Sequence, residues 1–383
     1  MTINNLIKEK LEFLANLPET DYPFISLYLN IHSHNFLEQN EINRIFLKDS
    51  FRKAEDKYRN IDDNERLNSL LKDEKKIRDY FDNKLDTRSH GLAFFACDKL
   101  GVFEVFQTVI PFENYFINDF MPHLKQLTFQ AEENENAVVV MIDAKYARIF
   151  EVKLGGTIVT EKDFENILHR FHKEGGWSQN RYQRHIENQR DHHYREIANI
   201  VSEMTDQQNY KNVILIGQNH EIKNFKDMLP KRVQDLIINM DHLQMRENIN
   251  NIIEDIVNDL NKKEKEREFQ TVLDVINKSL AGGYPVLGLE NTLKAAQEGQ
   301  ISRLVTVKNY ARNGWKCGDC YHLTKGSQYP TCPKCNGNTR EIDLIEELVR
   351  LTIKYNGDIE MVEDESAIEL EKFEGVGAYL RGA

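Results

Sequence analysis

Four of the five cysteines fall in the pattern Cys317-x2-Cys320-x11-Cys332-x2-Cys335, and no other feature constrains this 383-residue chain as tightly. Two Cys-x2-Cys knuckles place four thiolates for a tetrahedral Zn²⁺, and Trp315-Lys316, Pro333 and Gly337 supply the flanks that such knuckles favour. The gap between the knuckles is slightly shorter than in a common zinc ribbon. The competing reading, a pair of disulfides, is disfavoured by a reducing cytosol. Four cysteine ligands leave no open coordination position, so the expected metal is structural. Cys97 stands alone in an apolar run and reads as a small buried hydrophobe.

The length predicts two or three domains. Ile3, Leu6, Ile7, Leu11, Leu14 and Leu17 recur at helical spacing, so the chain is expected to open on an amphipathic helix rather than a leader. No apolar run approaches the roughly 18 residues of a membrane span, and the expected location is the cytoplasm. The net charge of −12 argues against a generic nucleic-acid coat, which needs a basic surface, but leaves room for a local basic patch.

Residues 1–131 read as an α/β domain. It has a half-buried strand at Ile25–Ile31, a charged helical stretch from Glu41 to Asn83, and two strands around an Asp98–Gly101 turn. Glu132–Ala137 is polar and is expected as a linker. Residues 132–268 hold a strand pair turning near Asp143–Tyr146, a strand near Thr157–Thr160, and the apolar run Asn212–Gly217, suited to a central strand. A long charged helix ends this segment near Glu268. Residues 269–383 begin with a further helix ending at Gly282-Gly283. A helix closed by Gly299, the strand Ile301–Val307, the cysteine module at 315–338, a helical stripe from Ile342 to Ile353 and a strand at Asp358–Val362 follow. Strands mixed with helices in this way make an α/β (α+β) fold.

The segment Gly175–Ala198 carries a Gly-Gly pair opening on a helix rich in Arg, Gln and His, with almost no apolar stripe. Gly175 and Gly176 permit a tight turn and close approach to a ligand. Ser178, Gln179, Arg181, Arg184, His185 and Arg190, with Trp177 and Tyr182 interleaved, offer charge for an RNA backbone and flat rings for exposed bases. The plain alternative is a turn before a solvated helix, since Glu174, Glu187 and Asp191 dilute the patch. Five of the twelve histidines, His169, His172, His185, His192 and His193, gather around this loop and helix, but their spacing matches no metal motif. Neither a Walker-type phosphate loop nor a Ser-His-Asp arrangement stands out.

These features together resemble the archaeal and eukaryotic class 1 peptide-chain release factors and Pelota, and more closely the bacterial, Balon-like branch of that superfamily, which includes hibernation factors. The likeness is strongest in Gly288–Val307, the four-cysteine insertion and the terminal Gly375–Gly382 (GVGAYLRG). The resemblance implies three domains: an N-terminal α/β domain, an RNase H-like central domain, and a kink-turn-binding-protein-like C-terminal domain with an inserted zinc ribbon. It also implies a ribosomal A-site location for the protein, contact with rRNA at the peptidyl-transferase centre, and a translational GTPase partner, elongation factor Tu. Two departures matter. Release factors carry Gly-Gly-Gln at the loop tip, whereas Trp177 holds the glutamine position here, and an indole has a donor but no acceptor with which to orient water. Asn30-Ile31-His32-Ser33 approximates a stop-codon-reading Asn-Ile-Lys-Ser loop but falls at the end of a strand, and it reads as coincidence. The expectation is therefore a hibernation or rescue factor without codon reading or peptide release. The alternative is a peptidyl-tRNA hydrolase using Gln179.

Overall fold

The computed structural model describes residues 3–32, 36–85, 89–108, 111–133, 136–143, 146–153, 157–165, 178–208, 210, 212–238, 249–326 and 331–382. The chain forms two compact units: residues 133–265 with 1–5, and residues 6–132 joined to 266–383. Among the described residues, no helix is long and apolar enough to cross a membrane.

The N-terminal segment contains α1 (Ile3–Ala15), β1 (Phe24–Asn30), α2 (Phe36–Arg59), α3 (Asn64–Asn83), β2 (Gly91–Cys97), β3 (Val102–Thr108), β4 (Tyr115–Asp119) and α4 (Lys125–Glu133). Its antiparallel sheet has the order β3-β2-β1-β4. Alternation predicts a half-buried β1, but the strand is covered on both faces. Phe24 and Tyr28 pack with α1 and α4, while Ile25, Leu27 and Leu29 pack with α2 and α3. The alternation fails as a signal because Ser26 and Tyr28 are buried polar groups with partners. The Tyr28 hydroxyl donates to the His123 carbonyl at 2.7 Å, and Ser26 Oγ accepts the His123 N–H at 2.9 Å. The charged stretch expected as one helix is two. The chain breaks where Asp62 takes φ 53° and Asp63 caps α3 by accepting the Arg66 N–H at 3.0 Å.

The central segment runs β5 (Asn136–Ile142), β6 (Tyr146–Lys153), β7 (Thr157–Glu165), α5 (Ser178–Gln208), β8 (Asn212–Ile216), α6 (Asn219–Lys226), α7 (Lys231–Gln234), β9 (Ile237–Ile238) and α8 (Ile249–Leu280). The sheet order is β7-β6-β5-β8-β9, antiparallel from β7 to β5 and parallel from β5 to β9. As its apolar run predicts, β8 is central and buried. The boundary between the two units falls at 132/133, within the segment expected as a linker; Glu132 and Glu133 end α4 and Asn136 starts β5. One expectation changes. The helices expected to end near Glu268 and to restart after it are one continuous helix, α8, since nothing between Glu264 and Thr271 breaks a helix.

The C-terminal segment holds β10 (Val286–Leu287), α9 (Leu289–Gln297), β11 (Ile301–Val307), β12 (Asn313–Cys317), β13 (Leu323–Lys325), β14 (Thr339–Asp343), α10 (Leu344–Lys354), β15 (Asp358–Val362), α11 (Asp364–Glu371) and β16 (Val376–Leu380). Ile342, expected on the helical stripe, belongs to β14 instead. In the sheet β10-β16-β11-β15, alternate residues face opposite layers. Leu304, Met361 and Ala378 face α9 and α10, whereas Val305 and Val362 face α11 and the end of α8. The terminal glycines serve this packing. A Cβ on Gly377 would lie 2.8 Å from Val275 Cγ1, and Gly375 takes φ +65° with its missing Cβ 2.9 Å from the Tyr310 ring.

The N- and C-terminal segments share one hydrophobic cluster and a polar seam. Glu346 Oε2 on α10 accepts the Leu124 and Lys125 N–H groups at 3.0 and 3.2 Å, satisfying donors at the start of α4. His123 lies beside it, with Nε2 2.8 Å from Asp119. Its hydrogen bond to Asp119 and the Glu346 charge outweigh burial, and together they raise its pKa.

Candidate functional site

The cysteine module is a small three-stranded sheet, β13-β12-β14, with a knuckle at each end of the insertion. Cys317 closes β12, and Cys332 and Cys335 precede β14. The four Sγ atoms lie within 4.8 Å of one another, with Cys317 to Cys335 at 3.4 Å and Cys320 to Cys332 at 3.6 Å. A tetrahedral Zn²⁺ with Zn–S of about 2.3 Å needs sulfurs about 3.8 Å apart, so the set fits. Backbone N–H groups already favour thiolates. Those of Cys320 and Asp319 point at Cys317 Sγ from 3.4 Å, and that of Lys334 points at Cys332 Sγ from the same distance. The Cys317 pKa is accordingly lowered to about 7, chiefly by the Cys320 N–H. The Gly337 N–H favours a Cys335 thiolate, but Cys320 and Cys317 outweigh it and push that pKa up to about 12. Four adjacent sulfurs resist full ionisation without a cation among them.

A buried ion cluster beside the first knuckle was not anticipated from the sequence. Lys316 Nζ lies 2.7 Å from Glu347 Oε1 and also contacts Glu19. Arg350 donates from Nε to Glu347 Oε2 at 2.9 Å, from Nη2 to Glu347 Oε1 at 2.7 Å, and from Nη1 to the Ala15 carbonyl at 3.0 Å. The residue before Cys317 is thereby tied to α10 and to the end of α1. The only sequence signal was Glu347-x2-Arg350 interrupting an apolar helix.

Of the expected RNA-contacting residues, Gly175, Gly176 and Trp177 lie outside the described residues. Ser178, Gln179, Arg181, Tyr182, Arg184 and His185 occupy the first turns of α5. Arg190 is partly buried. Its guanidinium sits 5.9 Å from the Tyr194 ring centroid and 3.7 Å from an Asp191 oxygen. Further along, Tyr194, Ile197, Ala198 and Val201 are buried against β5 and β8, so the second half of α5 anchors the helix. The Tyr194 hydroxyl donates to Glu221 on α6, and burial raises its pKa. His192 is exposed but His193 is buried, and burial lowers the His193 pKa. Among the described residues, the four cysteines are the only His/Cys/Asp/Glu group placed to hold a metal.

A family model described as bacterial archaeo-eukaryotic release factor family 10 matches residues 122–260. The chain is 24% identical over 269 residues to peptide chain release factor subunit 1 of Picrophilus torridus, a match covering 64% of this chain and 63% of that protein. It is 27% identical over 289 residues to the protein of the same name from Methanosphaera stadtmanae, covering 68% of each. The chain is thus similar to the archaeo-eukaryotic release factors, with the family match confined to residues 122–260. The matched region spans somewhat less than two thirds of the Picrophilus release factor's length. Among solved structures, ribosome-bound archaeal Pelota with ABCE1 is similar at 16% identity and a TM-score of 0.41, over 76% of this chain and 77% of that one. The release-factor family match contains β5 to β9 and all of α5, whereas the four cysteines lie outside it.

Proposed function

We propose that this protein is a ribosome-binding translation factor that occupies the A site in hibernation or rescue, without stop-codon recognition and without peptide release. The observation that carries the reading is a release-factor match over residues 122–260 in which Trp177, not glutamine, follows Gly175-Gly176. An amide can both accept from and donate to a water at the ester; an indole can only donate, and it is better suited to stacking on a base. Residues 132–268 act as the RNase H-like arm, a reading supported by the β7-β6-β5-β8-β9 order. The arm brings Gly175, Gly176, Trp177, Ser178, Gln179, Arg181, Tyr182, Arg184, His185 and Arg190 to rRNA at the peptidyl-transferase centre. Residues 1–131 face the decoding site. Residues 269–383, with the kink-turn-binding-protein-like sheet and a zinc ribbon at 315–338, dock a translational GTPase, elongation factor Tu. Zn²⁺ on Cys317, Cys320, Cys332 and Cys335 would clamp the two knuckles together.

Co-sedimentation with 70S ribosomes tests the reading. Binding should fall steeply with salt and be lost in Arg181→Glu/Arg184→Glu, because phosphate contacts release counterions. Undiminished binding by that variant rejects the α5 interface. Release of labelled peptide from stalled ribosomes, abolished by Gln179→Ala, rejects the non-hydrolytic reading in favour of a hydrolase.

A further inference from the structure

We infer that His123 is a proton-operated latch between residues 6–132 and 266–383, closed while its ring is doubly protonated and loosened as pH rises. The ring lies at the seam between β4, the start of α4 and the start of α10, with 4% of its side chain exposed. Both of its nitrogens face acceptors. Nε2 lies 2.8 Å from Asp119 Oδ2, while Nδ1 lies 3.9 Å from Glu346 Oε1 and 3.5 Å from the Tyr115 hydroxyl. A neutral imidazole has one N–H and satisfies one side; only the imidazolium donates from both. The backbone at this point is held from β1. The His123 N–H donates to Ser26 Oγ at 2.9 Å, and the His123 carbonyl accepts the Tyr28 hydroxyl at 2.7 Å.

The surrounding charge favours the cation. Asp119 on β4 and Glu346 on α10 face the ring from the two sides of the seam, and Asp343, which caps α10, adds a third carboxylate. Lys125 on α4 lies 3.7 Å from Asp343 and donates to the Tyr310 carbonyl. Tyr28 and Tyr115 stay neutral, because burial above all raises their pKa values. Among the described residues, His123 is therefore the one cation within ion-pair distance of Asp119 or Glu346. Burial alone would lower its pKa, but the Asp119 hydrogen bond and the Glu346 charge raise it above the ordinary histidine value. Its contribution is complete below the ordinary value and is lost as pH rises through the folded one. Losing the proton leaves Asp119 and Glu346, 19% and 7% exposed, at one site without a counter-charge. Glu346 is also the acceptor that ties the Leu124 and Lys125 N–H groups to α10, so the joint itself loosens.

The latch is independent of any ribosome contact and is tested on the full-length protein alone. Hydrogen exchange of the Leu124 and Lys125 amides is followed from about pH 6 to about pH 10 in the parent and in His123→Gln. The ratio of the two at each pH cancels the intrinsic exchange rate. His123→Gln should exchange faster at the acid end, and the ratio should fall toward one by up to about 10-fold per pH unit as the ring titrates. The His123 ring resonance, assigned by its absence from His123→Gln, should titrate above the ordinary histidine value. Asp119→Asn keeps the imidazole and should move both the resonance and the exchange transition to lower pH, which tests the latch even where His123→Gln does not fold. A ratio that is the same at every pH makes His123 a packing residue and overturns the inference. So does a ring that is already neutral at about pH 6, or an Asp119→Asn protein whose transition does not move.

Discussion

Replacing Glu347 with glutamine should uncouple the first knuckle from the rest of its unit. The Glu347 carboxylate is 1% exposed, between Lys316 and Arg350 side chains that are 4% and 8% exposed. Its two oxygens take three charge-assisted donors at 2.7, 2.7 and 2.9 Å. Glutamine keeps the size and one acceptor, but turns an NH2 group toward an ammonium or a guanidinium. Breaking a buried pair on one side leaves a desolvated charge behind and costs about 3–5 kcal/mol. Glu19, whose side chain is 18% exposed, still serves Lys316, which places the expected loss near about 3 kcal/mol. Burial alone would raise the Glu347 pKa, but Arg350 and Lys316 hold it below the usual carboxylate range. Its contribution is therefore present above the ordinary carboxylate pKa and is lost as pH falls through the folded value, so the deficit should shrink in acid.

The assay is urea unfolding in a Trp177→Phe background. That leaves Trp315 as the only indole, one residue from Lys316, with its Nε1 donating to the Gly326 carbonyl at 3.1 Å. The decisive comparison is the triple variant Lys316→Met/Glu347→Leu/Arg350→Met. It removes these three charges at once, leaves Glu19 at the partly exposed edge of the cluster, and forfeits the Arg350 bond to Ala15, worth about 1 kcal/mol. It should be more stable than Glu347→Gln alone, because an apolar replacement of buried, mutually paired charges is close to neutral. A Glu347→Gln loss under about 1 kcal/mol, or a triple variant below the single one, would refute the account of a desolvated, mutually dependent cluster.

Asp73 is fully buried, accepts the Asp98 N–H at 2.8 Å, and is pushed up to about 6, first by desolvation. The folded state then binds an extra proton between the ordinary carboxylate pKa and about 6. Stability should fall by about 2–3 kcal/mol as pH rises through that window, and Asp73→Asn should abolish the fall in denaturation curves at pH 4 and pH 7.5. Gly377→Val would place its Cβ 2.8 Å from Val275 Cγ1 and should cost about 1–3 kcal/mol in thermal unfolding. An unchanged melting temperature would show that α8 can shift. Elemental analysis should find about one zinc per chain, lost in Cys320→Ser, as a tetrahedral four-thiolate site requires; a full complement of metal in that variant would reject the site.

What the sequence made legible was what local chemistry dictates. The knuckles were readable because thiolate spacing permits few geometries, whereas the Gly375–Gly382 stretch stood out only by its resemblance to release factors, and its close contacts with Tyr310 and Val275 appear only in the fold. The β5–β6 turn and the central β8 followed from apolar runs bounded by turn residues. What stayed hidden was long-range. Ser26 looks like the polar face of a half-exposed strand until His123, 97 residues away, donates to it. Arg350 looks like a solvated helix residue until the Ala15 carbonyl, 335 residues away, receives its guanidinium. Glu346 reads as a surface charge, yet it satisfies the start of α4 from 222 residues away. Each of these groups is polar, and each is stable in the interior only because a distant partner meets it. A pattern of apolar residues therefore locates the elements of such a chain but is blind to the polar seam that joins residues 6–132 to 266–383. The seam reaches the four-cysteine cluster through Lys316, so a lesion at Glu347 should be felt both at the first knuckle and at the carbonyl end of α1.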